Sequence, residues 1–320
     1  MRKASIALAF LLTAVFLPAG TAFGWGSATH AYIGHELRAQ AGPVDLDEVY
    51  GSMAPDLFTC LVADPNYDQL EPLVPYLYGL THGDGAAVRG ALRHGWEKAE
   101  LYGFLGHSEL RGADRTAHLA SLTLDPAEGY IITKARALNA ILMTIPAYAD
   151  LGLSDAAALE VCHNLVESAG DLIIADASPR VGKLMVASAT RPAQPLRGLL
   201  VRAWSPGLMQ AGMTPAEAEA FIVGWEGWFR SRVASFGWLL QQPPPAPFNG
   251  VVQDFAALAT AYLASLGYPA PPQDTLEMLI AYGIVAAANL CRDDYLPEVE
   301  ETIEYTSLQL KRFKALQKAR

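Results

Sequence analysis

The stretch HSELRGADRTAH, His107 to His118, places two histidines and an aspartate, Asp114, within a dozen positions. It interrupts a segment that otherwise reads as apolar helix. Ala99, Leu101, Tyr102, Phe104 and Leu105 precede it, Ala117 lies at its end, and Leu119 and Leu122 follow. Polar side chains on an apolar face need partners. Imidazole and carboxylate together suit a borderline divalent cation such as zinc. The competing reading is a buried histidine satisfied by a neighbouring carboxylate, and both stay open on this stretch alone.

Helix geometry sharpens the question. Asp114 and His118 are four apart and share a face. His107 lies seven before Asp114, near the same stripe, but an unbroken helix would separate the two by roughly 10 Å along its axis. Two ligands of one zinc have donor atoms only about 3–3.5 Å apart. Either the two residues serve different ions, or the helix breaks between them. Gly112 is the natural break point, because glycine accepts backbone angles that other residues resist. The expectation is an irregular turn at about Leu110 to Gly112, then a fresh helix carrying Asp114 and His118.

Outward from this stretch the chain is helical. WGSATH leads into a helical pattern over Ala31 to Ala41, and Asp84 to Ala120 is rich in helix formers. Pro126 to Ala149 is apolar at helical spacing. Ser154 is a candidate N-cap for a helix to about Ala175. Thr214-Pro215-Ala216-Glu217 is a capping box with proline at the first helical position. The helix it opens carries Phe221, Trp225, Trp228, Phe229 and Phe236, whose spacing reads as a core face rather than lipid contact. Pro243 to Pro247 is the clearest break, and Val251 to Leu266, Thr275 to Leu290 and Pro297 to Leu316 read as three further helices. Alternating strand patterns are scarce, so the fold class is all-α, a multi-helix bundle. The expected organisation is a helical domain over residues 25–242 and a C-terminal helical extension over 243–320, packed on that same domain or separate from it.

The chain has 320 residues, 52% of them hydrophobic and 18% charged, with a formal charge of −10. An acidic chain is poorly matched to electrostatic binding of nucleic acid or of an anionic surface. Residues 1–24 read as a signal peptide: Arg2 and Lys3 are followed by the apolar run Ile6 to Phe16, Pro18, and the small residues of Ala22-Phe23-Gly24. Cleavage after Gly24 would leave Trp25 first; cleavage after Ala22 is the rival. The expected location is therefore secreted or periplasmic. Cys60, Cys162 and Cys291 are too few and too widely spaced for a disulfide framework.

The remaining candidate ligands are ordinary when taken singly. His163 and Glu167 are four apart on the helix after Ser154, on a face otherwise made of Val161, Leu165, Val166 and Leu172. Such a pair more often sits on a solvated helix face than on a metal. Asp56 follows Pro55 in a loop, His82 lies in LTHGD, and His30 falls five after Trp25.

The order of these residues is more specific than any one of them. With THAYIGHEL followed by YGSMAPDLF, the segment from Trp25 to Asp171 resembles the zinc-dependent phospholipase C family, which includes the N-terminal domain of glycosylphosphatidylinositol-specific phospholipase D. The fungal single-strand-specific zinc nucleases share that fold. The resemblance implies a cluster of up to three zinc ions. It assigns Asp56, His82, His107 and Asp114 to the first, and Trp25 (through its terminal amine and carbonyl), His30 and a shared Asp114 to the second. His118, His163 and Glu167 go to the third. His35 and His94 are left without a role. The family has His-x3-Asp where this chain has His107-x6-Asp114, which makes Glu109 the substitute if Asp114 does not reach.

The resemblance further implies a secreted phosphodiesterase acting on phospholipid headgroup esters, with Asp56 as general base and transient contact with a membrane surface. Two rivals stand beside it. One is a nuclease of the same fold, favoured by the Trp25-to-His30 spacing and disfavoured by Glu167, where those nucleases carry aspartate. The other is a metal-binding domain without turnover.

Overall fold

Apolar residues recurring three and four apart give a helix an apolar stripe that must be covered, and where strand patterns are scarce another helix covers it. The computed structural model describes residues 25–41, 46–63, 70–265 and 271–318. Among them are fifteen α-helices, joined by short loops and 3₁₀ turns, and no strand. The all-α multi-helix bundle is thus what the chain forms. The signal-peptide reading falls on residues outside those described.

Sequence signals set the helix ends. The Ser154 hydroxyl accepts the Ala157 N–H and opens the helix Asp155–Ala177. Thr214 and Glu217 form the reciprocal box ahead of Pro215–Leu239. Of the aromatic set on that helix, Phe229 is buried and the others are half-buried. Glu226, fully buried on the same helix, accepts from Arg197, Arg230 and the Tyr50 hydroxyl, so three elements meet at one carboxylate.

The elements that carry the centre are few. We number α1 as Ser27–Ala41, α2 as Leu46–Met53, α3 as Val74–His82, α4 as Ala86–Ala91, α5 as Lys98–His107 and α6 as Ala113–His118. The helices α2 and α5 lie against each other closely enough that a Cβ on Gly103 would stand 2.4 Å from the Glu48 carbonyl oxygen. That approach needs a residue without a side chain, and it brings the C-terminal end of α5 to the backbone of Ser52.

Residues on both sides of Pro243 share one hydrophobic core, which runs from Trp25 and Tyr130 through Trp204 to Cys291, Tyr295 and Val299. The three helices expected beyond the prolines are present as Ala246–Ser265, Gln273–Cys291 and Tyr295–Lys318. Gln273–Cys291 is apolar and long enough to cross a membrane; it packs on the helices Asp155–Ala177, Tyr130–Leu142 and Ala246–Ser265, and its Leu276, Ile284 and Ala287 are buried. Cys162 and Cys291 are free and buried, with burial pushing both thiols up to about 11.

Candidate metal centre

α5 ends at His107, Ser108 to Gly112 form an irregular turn, and α6 begins at Ala113. The break lies where the helical rise requires one. Its cause differs from the expectation, however. Gly112 has φ −102° and ψ −161°, extended backbone open to any residue. A Cβ there would instead lie 2.5 Å from both the Gly106 carbonyl oxygen and the Ser108 nitrogen. Glycine is needed for room, not for angle.

The turn folds Asp114 back onto His107. His107 Nε2 lies 2.9 Å from Asp114 Oδ2 and 3.6 Å from Asp56 Oδ1. His82 Nε2 lies 3.1 Å from Asp56 Oδ1 and 3.6 Å from Asp114 Oδ2. His30 Nε2 lies 3.2 Å from Asp114 Oδ1. Asp114 therefore turns one oxygen to His30 and the other to His107 and His82, the disposition of a bridging carboxylate. Two three-donor sets result, His30–His107–Asp114 and Asp56–His82–His107, with the donor atoms of each within 4.8 Å of one another and every member buried.

Each imidazole is oriented from behind. The Ser52 carbonyl can only accept, so His107 Nδ1 carries the proton of their 2.8 Å hydrogen bond and Nε2 is left facing the carboxylates. The Thr81 hydroxyl donates to the Tyr78 carbonyl at 3.3 Å, so His82 Nδ1 donates to Thr81 Oγ1 at 2.7 Å and its Nε2 also faces the cluster. His30 stacks on His107 with ring centroids 4.0 Å apart.

Burial depresses the His30 imidazole, helped by its neighbour His107. Burial also works against the charged form of His107, but Asp114 and Asp56 overcome it and push this imidazole up to about 9. Burial would raise Asp114; His107 and His30 outweigh it and hold the carboxyl well below its ordinary range. His30 Nε2, His107 Nε2 and both Asp114 oxygens are nevertheless buried without a hydrogen-bond partner. Buried polar atoms are rarely left so. Polar atoms that converge without hydrogen-bond geometry, at separations near the roughly 3–3.5 Å expected of co-ligands, fit a cation.

The third expected set is looser. His163 Nε2 lies 2.6 Å from Glu167 Oε1, and the His118 ring is centred 5.2 Å from that of His163. His118 turns Nδ1 to Glu109 Oε1 at 3.0 Å, and Glu109 also accepts the Tyr78 hydroxyl at 2.9 Å. No group of three donors within 4.8 Å forms among these described residues. Burial, with Asp56 and Asp171 nearby, raises the Glu167 carboxyl well above its ordinary value.

Trp25 belongs to neither set through its described contacts. Its buried indole N–H is shared between the Ala113 carbonyl at 3.0 Å and Thr116 Oγ1 at 3.2 Å, beside Asp114. His35 lies 3.8 Å from Glu36, and His94 caps the turn at Gly95–Glu97 and stacks on Trp96; neither joins a set. Sequence reasoning missed Ser52, Thr81, Tyr78 and Asp171. Asp171 accepts the Ala28 and Thr29 N–H groups that open α1, at 3.1 and 2.8 Å. A signal for it existed, since Asp171 continues the four-residue spacing of His163 and Glu167.

No protein-family profile, curated protein or solved structure matches the chain.

Proposed function

We propose that the protein is a zinc-dependent phosphodiesterase of the phospholipase C kind, acting outside the cytoplasm. One observation carries the reading: two buried three-donor sets share His107 and are joined through Asp114, with unpartnered donor atoms at their centre. In this reading Asp56, His82 and His107 hold one ion with Asp114 Oδ2 beside them, and His30 and Asp114 Oδ1 hold another, since His107 has only Nε2 to offer. His118, His163 and Glu167 draw together around a third. Trp25 joins the ion of His30 and Asp114 once cleavage after Gly24 exposes its amine.

Bound zinc supplies the acidity that makes water a nucleophile near neutral pH, and positive charge against the phosphoryl oxygens. Asp56 and Asp114 bring two negative charges to imidazole ligands; two divalent cations reverse that sign and suit a phosphodiester anion. Asp56 meets His82 and His107 through Oδ1. Its Oδ2 is the oxygen assigned to take the proton from attacking water. Water adds to phosphorus, the ester oxygen leaves with a proton, and a phosphomonoester and an alcohol result.

The neighbouring surface supports the substrate class. Tyr78 and Glu109 are partly exposed beside the centre, and the His118 side chain is buried next to them. Leu110, Leu119 and Leu122, in the adjoining segments, are exposed. Apolar side chains beside a phosphate-seeking centre favour a lipid over a polynucleotide, as does the charge of −10. Zinc-loaded protein should release phosphocholine from phosphatidylcholine vesicles and leave single-stranded DNA intact. Cleavage of DNA alone would favour the nuclease, and bound metal with neither activity would favour a domain without turnover.

A further inference from the structure

The last helix, which we number α15, Tyr295–Lys318, places a row of polar side chains inside the core. Tyr295, Glu298 and Thr302 are three and four apart, share one face, and are fully buried. Each reaches a residue one or a few positions from a donor of the metal centre.

The Thr29 hydroxyl donates to Asp171 Oδ1 at 2.9 Å, so in its 2.9 Å contact with Tyr295 the phenol is the donor. Thr29 precedes His30. The Thr116 hydroxyl gives its proton to the Ala113 carbonyl at 2.7 Å; it accepts from Trp25 Nε1 at 3.2 Å and from Thr302 Oγ1 at 2.7 Å. Thr116 lies between Asp114 and His118, and its hydrogen-bonding capacity is filled by these three contacts. The Glu298 carboxylate accepts the Leu122 and Thr123 N–H groups at 2.8 and 2.7 Å and the Ser121 hydroxyl at 2.9 Å, fixing the segment that leaves His118. The Trp25 ring, finally, stands edge-on to Tyr295 with centroids 5.3 Å apart.

We propose that α15 is the positioning element of the metal centre, with Tyr295 and Thr302 as the residues that hold His30 and Asp114 in ligating register. This rests on the metal-binding reading above. The hydroxyls of Tyr295 and Thr302 bond to Thr29 and Thr116 rather than to a donor atom of the two sets. The helix acts through Thr29 and Thr116, which sit on the two helices whose relative placement decides whether His30 Nε2 and Asp114 Oδ1 share an ion. The segment after Pro243 is then part of the centre.

Tyr295→Phe and Thr302→Val each remove one hydroxyl at nearly constant shape. Three quantities are read on the full chain: zinc affinity by competition with a chromophoric chelator, the absorption spectrum of the cobalt(II)-loaded protein, and the thermal midpoint of the metal-free protein. Zinc affinity should fall about tenfold in each variant, at the lower end of what outer partners of ligands contribute. The cobalt bands should shift, and Thr302→Ser should restore both. Unchanged affinity and spectrum in both variants would overturn the proposal. So would a lowered metal-free midpoint with affinity and spectrum intact, since that marks packing alone. Wild-type protein that binds neither zinc nor cobalt would overturn the metal reading itself, and this proposal with it. Wild-type binding with indifferent variants would overturn this proposal only.

Discussion

His107 carries a proton that a cation has to displace. Its Nδ1 is committed to the Ser52 carbonyl, so the proton and the metal compete for Nε2. In the metal-free protein this imidazole is raised from 6.5 to about 9. Apparent zinc affinity should therefore climb about tenfold per pH unit up to about 9, with one proton released per ion bound there. The metal-free protein should behave in the opposite sense. A group whose folded pKa is raised contributes stability that is complete below its unfolded value and is lost as pH rises through its folded value. For His107 that loss runs from 6.5 to about 9, and the raised Glu167 carboxyl acts in the same direction above its ordinary 4.5. Asp114, held low, adds stability above 3.8 that is lost as pH falls. Urea midpoints of the metal-free protein should thus decline across the alkaline window while those of the zinc-loaded protein rise. Parallel curves would contradict the assignment of His107 as a ligand.

At the scale of elements, the turn between α5 and α6 does the geometric work, and Gly112 is its tightest point. Gly112→Ala would press a methyl group onto the backbone of Gly106 and Ser108. The turn would have to open, carrying Asp114 away from His107. The expected result is a loss of zinc affinity of about tenfold or more, as when a ligand's support is disturbed, with helical circular dichroism preserved. Unchanged affinity would show that the turn has slack. The need for this turn was legible in the sequence, because axial rise alone forbids His107 and Asp114 from meeting in one helix. So were the caps at Ser154 and Thr214, since their hydroxyls accept orphan N–H groups that any helix start presents. The reason for Gly112 was not legible: room depends on which backbone passes nearby. The Ser52 carbonyl was hidden for a related reason, because a main-chain acceptor has no side-chain signature. His118 shows a third limit. Its spacing from Asp114 places it on the right face, but its pairing with Glu109 depends on a turn whose path periodicity does not describe.

For the whole molecule, the proline run at Pro243 to Pro247 reads as a boundary in sequence and behaves as a bend in one body, because the core continues through it. Helical periodicity foretold the bundle, and burial of Tyr295, Glu298 and Thr302 shows what periodicity leaves out: polar residues on the final helix spent on fixing earlier helices rather than facing water. The same economy places both three-donor sets around one imidazole, which makes the account easy to test. Metal content of purified, zinc-equilibrated protein, measured beside that of His107→Ala, tests it most directly. The account predicts at least two zinc ions per chain in the wild type and loss of at least one in the variant, since His107 Nε2 is a donor to the ion it shares with Asp56 and His82. A wild type without zinc, or a variant that retains its full complement, would contradict it.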